Sequence, residues 1–162
     1  MAAVARKFSL FEDDFEEING AVHLRIISTS DVYDLGNWSR CYTAIQELKL
    51  APHDGNHTVI LLPGDFLAPS VLSCVDQGAS MVDCINHVGF EYCILGNHES
   101  DVSMQALGDR VRESKFTWIN SNMIGLPNCI PDLPEHVTLE LSSSTQKRSV
   151  AFLGLLTDDK YL

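Results

Sequence analysis

Asp31, Asp65, Asn97, His98 and Asp101 are the residues of this chain whose types suit metal and phosphoryl chemistry, and they fall in three short clusters. Asp31 opens Asp31-Val-Tyr33, Asp65 closes Pro63-Gly-Asp65, and the third cluster reads Gly96-Asn-His-Glu-Ser-Asp101. Two carboxylates, an amide and an imidazole brought together make a hard, oxygen-rich site suited to Mn²⁺, Mg²⁺, Zn²⁺ or Fe²⁺. One carboxylate there could bridge two such ions about 3.5–4 Å apart, the spacing at which paired metals activate water and hold a phosphoryl group. Taken singly, each cluster has a plainer reading. An Asp after a strand is commonly a turn former or a helix cap, and Gly-Asn-His-Glu alone suits a left-handed turn. The conjunction of the three is what points to a site.

Such convergence requires elements that end side by side. His23–Ser28 is a short β-branched run and predicts a first strand, with Asp31 just after it. Asn37 is placed to cap a helix whose apolar face is Trp38, Tyr42, Ile45 and Leu48, spaced by three and four. Residues 51–57, with Pro52 and Gly55, read as a loop. Thr58–Leu62 is apolar apart from its first residue, as in a parallel strand covered on both faces, and Asp65 follows it. A helix is predicted around Ser80–Val88 and a third strand at Tyr92–Leu95, followed by the Asn97 cluster. Met104, Leu107 and Val111 mark another helix, Phe116–Ile119 a fourth strand, and Val137–Leu141 with Ser149–Leu153 a final hairpin. The order βαβαβαβββ is that of an α/β protein. In such proteins the carboxyl ends of parallel strands form the functional edge, which is where all three clusters fall.

Composition narrows the classes of function. The 162 residues suit one domain, and 45% are hydrophobic, enough for a sizeable core. The net charge of −11, with no basic patch, argues against a nucleic-acid polymer as partner. It does not argue against a small anion, because divalent cations held by carboxylates reverse the local field. No apolar run approaches the roughly 20 residues of a membrane span. Residues 1–20 read as a solvated acidic arm with no leader-like apolar core, so a cytoplasmic location is expected. Five cysteines without a CxxC pair read as free thiols in a reducing compartment.

Pro63-Gly-Asp65 and Leu95-Gly-Asn-His-Glu-Ser-Asp101 resemble the second and third signatures of calcineurin-like metallophosphoesterases. Gly64-Asp-Phe-Leu-Ala-Pro-Ser70, Met81-Val-Asp-Cys-Ile-Asn-His-Val-Gly89 and Thr117-Trp-Ile-Asn-Ser-Asn-Met123 are similar to the 5′-nucleotidase (UDP-sugar hydrolase-like) branch. The resemblance implies the N-terminal half of an αββα sandwich over residues 21–162. It also implies hydrolysis of a small phosphate ester, a nucleotide by the branch, with two divalent metal ions. By the same resemblance Asp31 is a ligand of the first metal, Asp65 bridges both, and Asn97 binds the second metal and the substrate phosphate. His98 and Asp101 form a catalytic pair at the phosphoryl group, with His98 also touching substrate, and Glu99 is structural.

Two features depart from that pattern. The first signature of the family reads Asp-x-His, and here it is Asp31-Val-Tyr33. A neutral phenol, with a reference pKa of about 10, is a poor ligand for Mg²⁺ or Zn²⁺, so Tyr33 is an unusual ligand, an aromatic wall or a phosphate-facing hydroxyl. The family's remaining ligands are late histidines, usually Gly-His-x-His. None of His23, His53, His57, His87, His98 and His136 forms that motif. The chain is therefore expected to stop before those ligands. Three readings follow: a phosphoesterase with an incomplete metal set, a catalytically inactive binding or regulatory fragment, and a truncated product without a stable fold of its own.

Overall fold

The computed structural model describes residues 21–50 and 57–157. The acidic arm and most of the Pro52/Gly55 loop, including His53, lie outside the described residues. Strand β1 (Leu24–Ser28) leads through a 3₁₀ turn (Leu35–Asn37) into helix α1 (Trp38–Leu50). Then come β2 (His57–Leu62), a short helix α2 (Ser73–Asp76), α3 (Ala79–Val88) and β3 (Tyr92–Ile94). A second 3₁₀ turn (Asn97–Asp101) precedes α4 (Met104–Glu113), β4 (Thr117–Ile119), and the strands β5 (His136–Ser142) and β6 (Lys147–Leu153).

β1 to β4 form one parallel sheet in sequence order, and β5 with β6 form a separate antiparallel hairpin. Parallel neighbours connected by right-handed crossovers in an unbroken order put every intervening helix on the same face. Ile60 and Leu62 of β2, Cys93 of β3 and Trp118 of β4 accordingly join one core with Ile45 of α1, Val82 and Ile85 of α3 and Leu107 of α4. The opposite face carries Ile26, Ile94 and Ile119. It is covered only in part by the hairpin, where Phe152 stacks on Tyr92 at 5.8 Å, and Ile26 remains 52% exposed. Among the described residues this is a parallel sheet with helices packed on one side only. Among the described residues no helix is long and apolar enough to cross a membrane.

Several expectations need correction. Asn37 does not cap α1. Asp34 caps the preceding 3₁₀ turn, its carboxylate accepting the Gly36 N–H at 2.8 Å, and Asn37 is the last residue of that turn. Of the predicted apolar face of α1 only Trp38 and Ile45 are buried, while Tyr42 and Leu48 stay nearly half exposed, because α1 packs on α3 over a narrow seam. His57 is not in a loop but begins β2, and its Nε2 lies 2.9 Å from the Ser142 backbone, tying the end of β5 to the start of the sheet. Helix α2 was not expected: at four residues it is too short to show periodicity.

The turn joining α2 to α3 shows how the sequence supplies its own caps. Asp76 Oδ1 accepts the Gly78 N–H at 3.0 Å and Oδ2 accepts the Ser80 N–H at 2.9 Å, satisfying two donors at the start of α3. Burial pushes the Asp76 carboxyl up, but hydrogen bonds from Ser80 and Gly78 and the charge of Arg110 outweigh it and hold the pKa below the usual value. A depressed acid pKa contributes stability above its unfolded value, about 3.9, which is lost as pH falls through the folded one. Asn has one acceptor oxygen where Asp76 uses two, so Asp76→Asn should lower unfolding stability by about 1 kcal/mol at pH 7, the net worth of one hydrogen bond. The gap between variant and parent should begin to narrow below about 3.9 and close below the lowered folded pKa, where the aspartate is neutral in the folded state as well. Denaturant unfolding at the two pH values checks it, and a gap independent of pH would contradict the cap assignment.

Candidate active site

The three clusters hold one register. Asp31 is three residues past Ser28, Asp65 three past Leu62 and Asn97 three past Ile94, the last residues of β1, β2 and β3. Because those strands are parallel neighbours, equal offsets bring the three side chains to one edge.

Local backbone geometry sharpens this. Asp31 and Asp65 both have φ of 58°, in the left-handed region that L-residues seldom adopt, although short polar side chains tolerate it best. Such strain concentrates at functional sites, where the surrounding structure must hold it. The turn after β2 also interlocks with the turn after β3. Gly64 has φ of 73°, and a Cβ there would stand 2.5 Å from the Gly96 backbone nitrogen. A Cβ on Gly96 would stand 2.3 Å from Asp65 Oδ1. Only two glycines allow this approach.

Behind the turns lies Glu99, 1% exposed. Its Oε2 accepts the N–H groups of Gly96 at 2.6 Å and Asp65 at 2.8 Å, and its Oε1 those of Phe66 at 3.0 Å and Leu67 at 3.2 Å. Burial raises its pKa above the ordinary glutamate value against the pull of those four amides. The sequence marks Glu99 as structural; three of the four amides that define the role lie more than 30 residues away, which no local pattern reports.

The side chains at the edge form a continuous chain of contacts. Asp65 Oδ1 accepts the His98 N–H at 2.9 Å. His98 Nδ1 lies 2.7 Å from Asp101 Oδ2, which fixes Nδ1 as the protonated nitrogen. That hydrogen bond raises the His98 pKa despite partial burial, and the charges of Asp101, Asp65 and Glu99 add to it. Tyr33 packs edge-on against the His98 ring, 5.6 Å between centroids at 81°, and its hydroxyl donates to Asp31 Oδ1 at 3.3 Å. Burial, then the Asp65 and Asp31 charges, drive the Tyr33 pKa well above its usual value, so the group beside Asp31 is a neutral phenol. Asn97 is exposed beside His98, and its amide has no hydrogen-bond partner among the described residues.

Thus the structure brings Asp31, Tyr33, Asp65, His98 and Asp101 into contact, with Asn97 next to them in the chain. The other described histidines are elsewhere: His23 exposed just before β1, His57 at the opposite end of β2, His87 on α3 with its Nδ1 2.7 Å from the Asp83 carbonyl, and His136 exposed at the start of β5. Among the described residues no group of three or more His, Cys, Asp or Glu forms a metal-holding cluster by itself. The donor set at the edge is two carboxylates and an amide. Its chemistry fits hard divalent cations and is sparse for them.

The family model of calcineurin-like phosphoesterases matches residues 24–144. A 2′,3′-cyclic-nucleotide 2′-phosphodiesterase/3′-nucleotidase of Haemophilus influenzae is 24% identical over 83% of this chain, and a Bos taurus 5′-nucleotidase is 29% identical over 63%. The chain spans only 24% and 19% of the length of those two relatives. Among solved structures, the NAD nucleotidase of Haemophilus influenzae superposes with a TM-score of 0.69 over 85% of this chain and 30% of its own, at 16% identity. The calcineurin-like phosphoesterase YfkN of Bacillus subtilis gives 0.62 over 83% and 48%, at 19% identity. At those identities the superpositions report a shared fold.

Proposed function

Because this chain belongs to the calcineurin-like phosphoesterase family and carries the N-terminal part of its fold, we propose that its strand-end edge is a metal-dependent site for hydrolysing small phosphate esters, of the 5′-nucleotidase type. The observation that carries this reading is the contact chain Asp31–Tyr33–His98–Asp65 across three strand ends, with Asp101 behind His98. The nucleotidase names of its relatives support a nucleotide as the ester. All five cysteines are free thiols, which supports a reducing, cytoplasmic setting.

In this reading Asp31 and Asp65 would hold one divalent cation, and Asp65 and Asn97 the other; Mn²⁺, Zn²⁺, Mg²⁺ and Fe²⁺ all suit these oxygens. Bound there, the cations would supply Lewis acidity and a water acidified towards neutral pH. The remaining work falls to the protein. Asp101 holds the Nδ1 proton of His98, so Nε2 is the nitrogen left to face the phosphoryl group. A raised pKa keeps His98 cationic closer to neutrality, suiting it to stabilise developing negative charge or to protonate the leaving oxygen at Nε2. The exposed Asn97 amide can donate to a phosphate oxygen.

One observation favours the second reading, a non-catalytic binding or regulatory fragment. Tyr33 stands where the family pattern has a histidine ligand, and its neutral phenol occupies an Asp31 oxygen as donor. Tyr33→His should release that oxygen and add an imidazole, so Zn²⁺ affinity should rise by roughly tenfold, the lower end of ligand-environment effects. Calorimetric titration of the wild type and the variant tests both ideas. Weaker binding by Tyr33→His would point to a tyrosinate ligand and ferric iron. Absence of any metal uptake by the wild type would remove the proposed site.

A further inference from the structure

We infer that Glu99 is a positioning residue: its buried carboxylate clamps the two glycine turns together and thereby holds Asp65 in its left-handed conformation, facing the Asn97–His98 turn. The inference rests on the site reading above for its functional meaning, but not for its geometry.

The physical case starts from what each turn needs. After β2 the chain must place Asp65 at φ of 58°, a conformation that an Asp tolerates better than most residues but still adopts at a cost. The N–H groups of Asp65, Phe66 and Leu67 then point one way without partners from helix or strand, since α2 begins only at Ser73. After β3, the Gly96 N–H at the start of the 3₁₀ turn is equally unpartnered by the backbone. A single acceptor with two oxygens meets all four. Buried donors left unsatisfied cost more than a hydrogen bond gains, so the four amides are held to that carboxylate wherever it goes.

Oε2 is shared between Asp65 of one turn and Gly96 of the other, and that sharing brings two glycines within a spacing no Cβ allows. A second bond crosses the same junction, from the His98 N–H to Asp65 Oδ1, and on this inference it depends on the first. Glu99 touches neither a reacting atom nor solvent, and acts through the residues it orients.

Glu99→Gln separates this role from a bulk contribution to stability. The amide oxygen can still accept from two N–H groups, but the NH₂ opposes the other two, donor against donor. The matched control is Ile85→Val or Ile85→Ala, a fully buried position on α3, whichever has the closer melting temperature. Amide hydrogen exchange is measured on metal-free protein, and Mn²⁺ affinity in parallel. Relative to the control, Glu99→Gln should speed exchange at Asp65, Phe66, Leu67 and Gly96 by at least tenfold. Exchange at the His98 N–H, which Glu99 does not touch, should rise with them. Mn²⁺ affinity should fall at least tenfold while the control keeps it. If Glu99→Gln does not fold, Glu99→Asp, one methylene too short to reach both turns, carries the same comparison. Protection at His98 equal to that of the control overturns the inference, as does undiminished Mn²⁺ affinity. A wild type that takes up no Mn²⁺, with the exchange pattern as expected, would sink the metal reading alone and leave Glu99's clamp standing.

Discussion

Asp65→Ala should leave the chain without retained Mn²⁺ or Zn²⁺, while Asp132→Ala, at an exposed position in the loop before β5, keeps whatever the wild type holds. Asp65 is the carboxylate the proposal assigns to both ions, so its loss removes one ligand from each and the shared negative charge between two cations. Its replacement has a second consequence that the fold reveals. Asp65 Oδ1 also accepts the His98 N–H, and alanine at φ of 58° has no short polar side chain to ease that conformation, which costs about 1–2 kcal/mol. Asp65→Asn is therefore the sharper companion. It keeps an acceptor for His98 and a residue type tolerant of the left-handed region, and deletes the charge alone. Both should lose metal, and Asp65→Asn should do so with its thermal unfolding nearly unchanged. Asp76 is unsuitable as a control, because its carboxylate caps α3. Elemental analysis after gel filtration gives the metal content. Equal content in Asp65→Asn and wild type would refute the assignment of this edge.

What the sequence could carry here was set by range. Apolar runs and helix spacing are local, so all six strands and the α1, α3 and α4 helices are legible within a residue or two of their observed ends. The clusters after three of those strands are local as well, and parallel pairing converts their equal offsets into one edge. Features made by distant partners are not legible. The four amides on Glu99 come from segments far apart in the chain, and the Gly64–Gly96 apposition is visible only once both turns are built. His57 shows the same limit: its sequence neighbours say loop, while its partner Ser142 lies 85 residues away. Exposure on α1 failed for another reason. Tyr42 and Leu48 fit an apolar stripe by spacing, but how wide a stripe is covered depends on the neighbour, and α3 covers only the part near Trp38 and Ile45. Tyr33 is the instructive intermediate. The sequence identifies it as a departure and offers a ligand, an aromatic wall or a phosphate-facing hydroxyl. The geometry gives it an edge-on contact with His98 and a donated hydrogen bond to Asp31, both of which suit the wall.

The scarcity of ligands leads to the prediction about turnover. Fixing two ions with an open position for water and phosphate is what two-metal hydrolysis demands. Asp31 with Asp65, and Asp65 with Asn97, would give each ion two protein oxygens, and Tyr33 adds a phenol that donates rather than ligates. The rest of each shell would be water, so exchange should be fast, affinity weak, and the acidity of bound water less enhanced than in a full set of three or four protein ligands. His98 and Asp101 are assembled, but general acid–base help is worth about 10²–10⁴-fold and cannot replace a well-held metal pair. The 162-residue chain should consequently release phosphate from p-nitrophenyl phosphate or AMP barely above buffer, even with added Mn²⁺. A longer chain carrying the late histidines of the family pattern should exceed it by orders of magnitude, and Asp65→Asn should abolish activity in both. Phosphate release from the two chains, with Asp65→Asn as the contamination control, makes the comparison. Robust turnover by the 162-residue chain that vanishes in Asp65→Asn would mean that two protein ligands per ion suffice, and that Tyr33 or bound water completes a site the donor count makes look deficient.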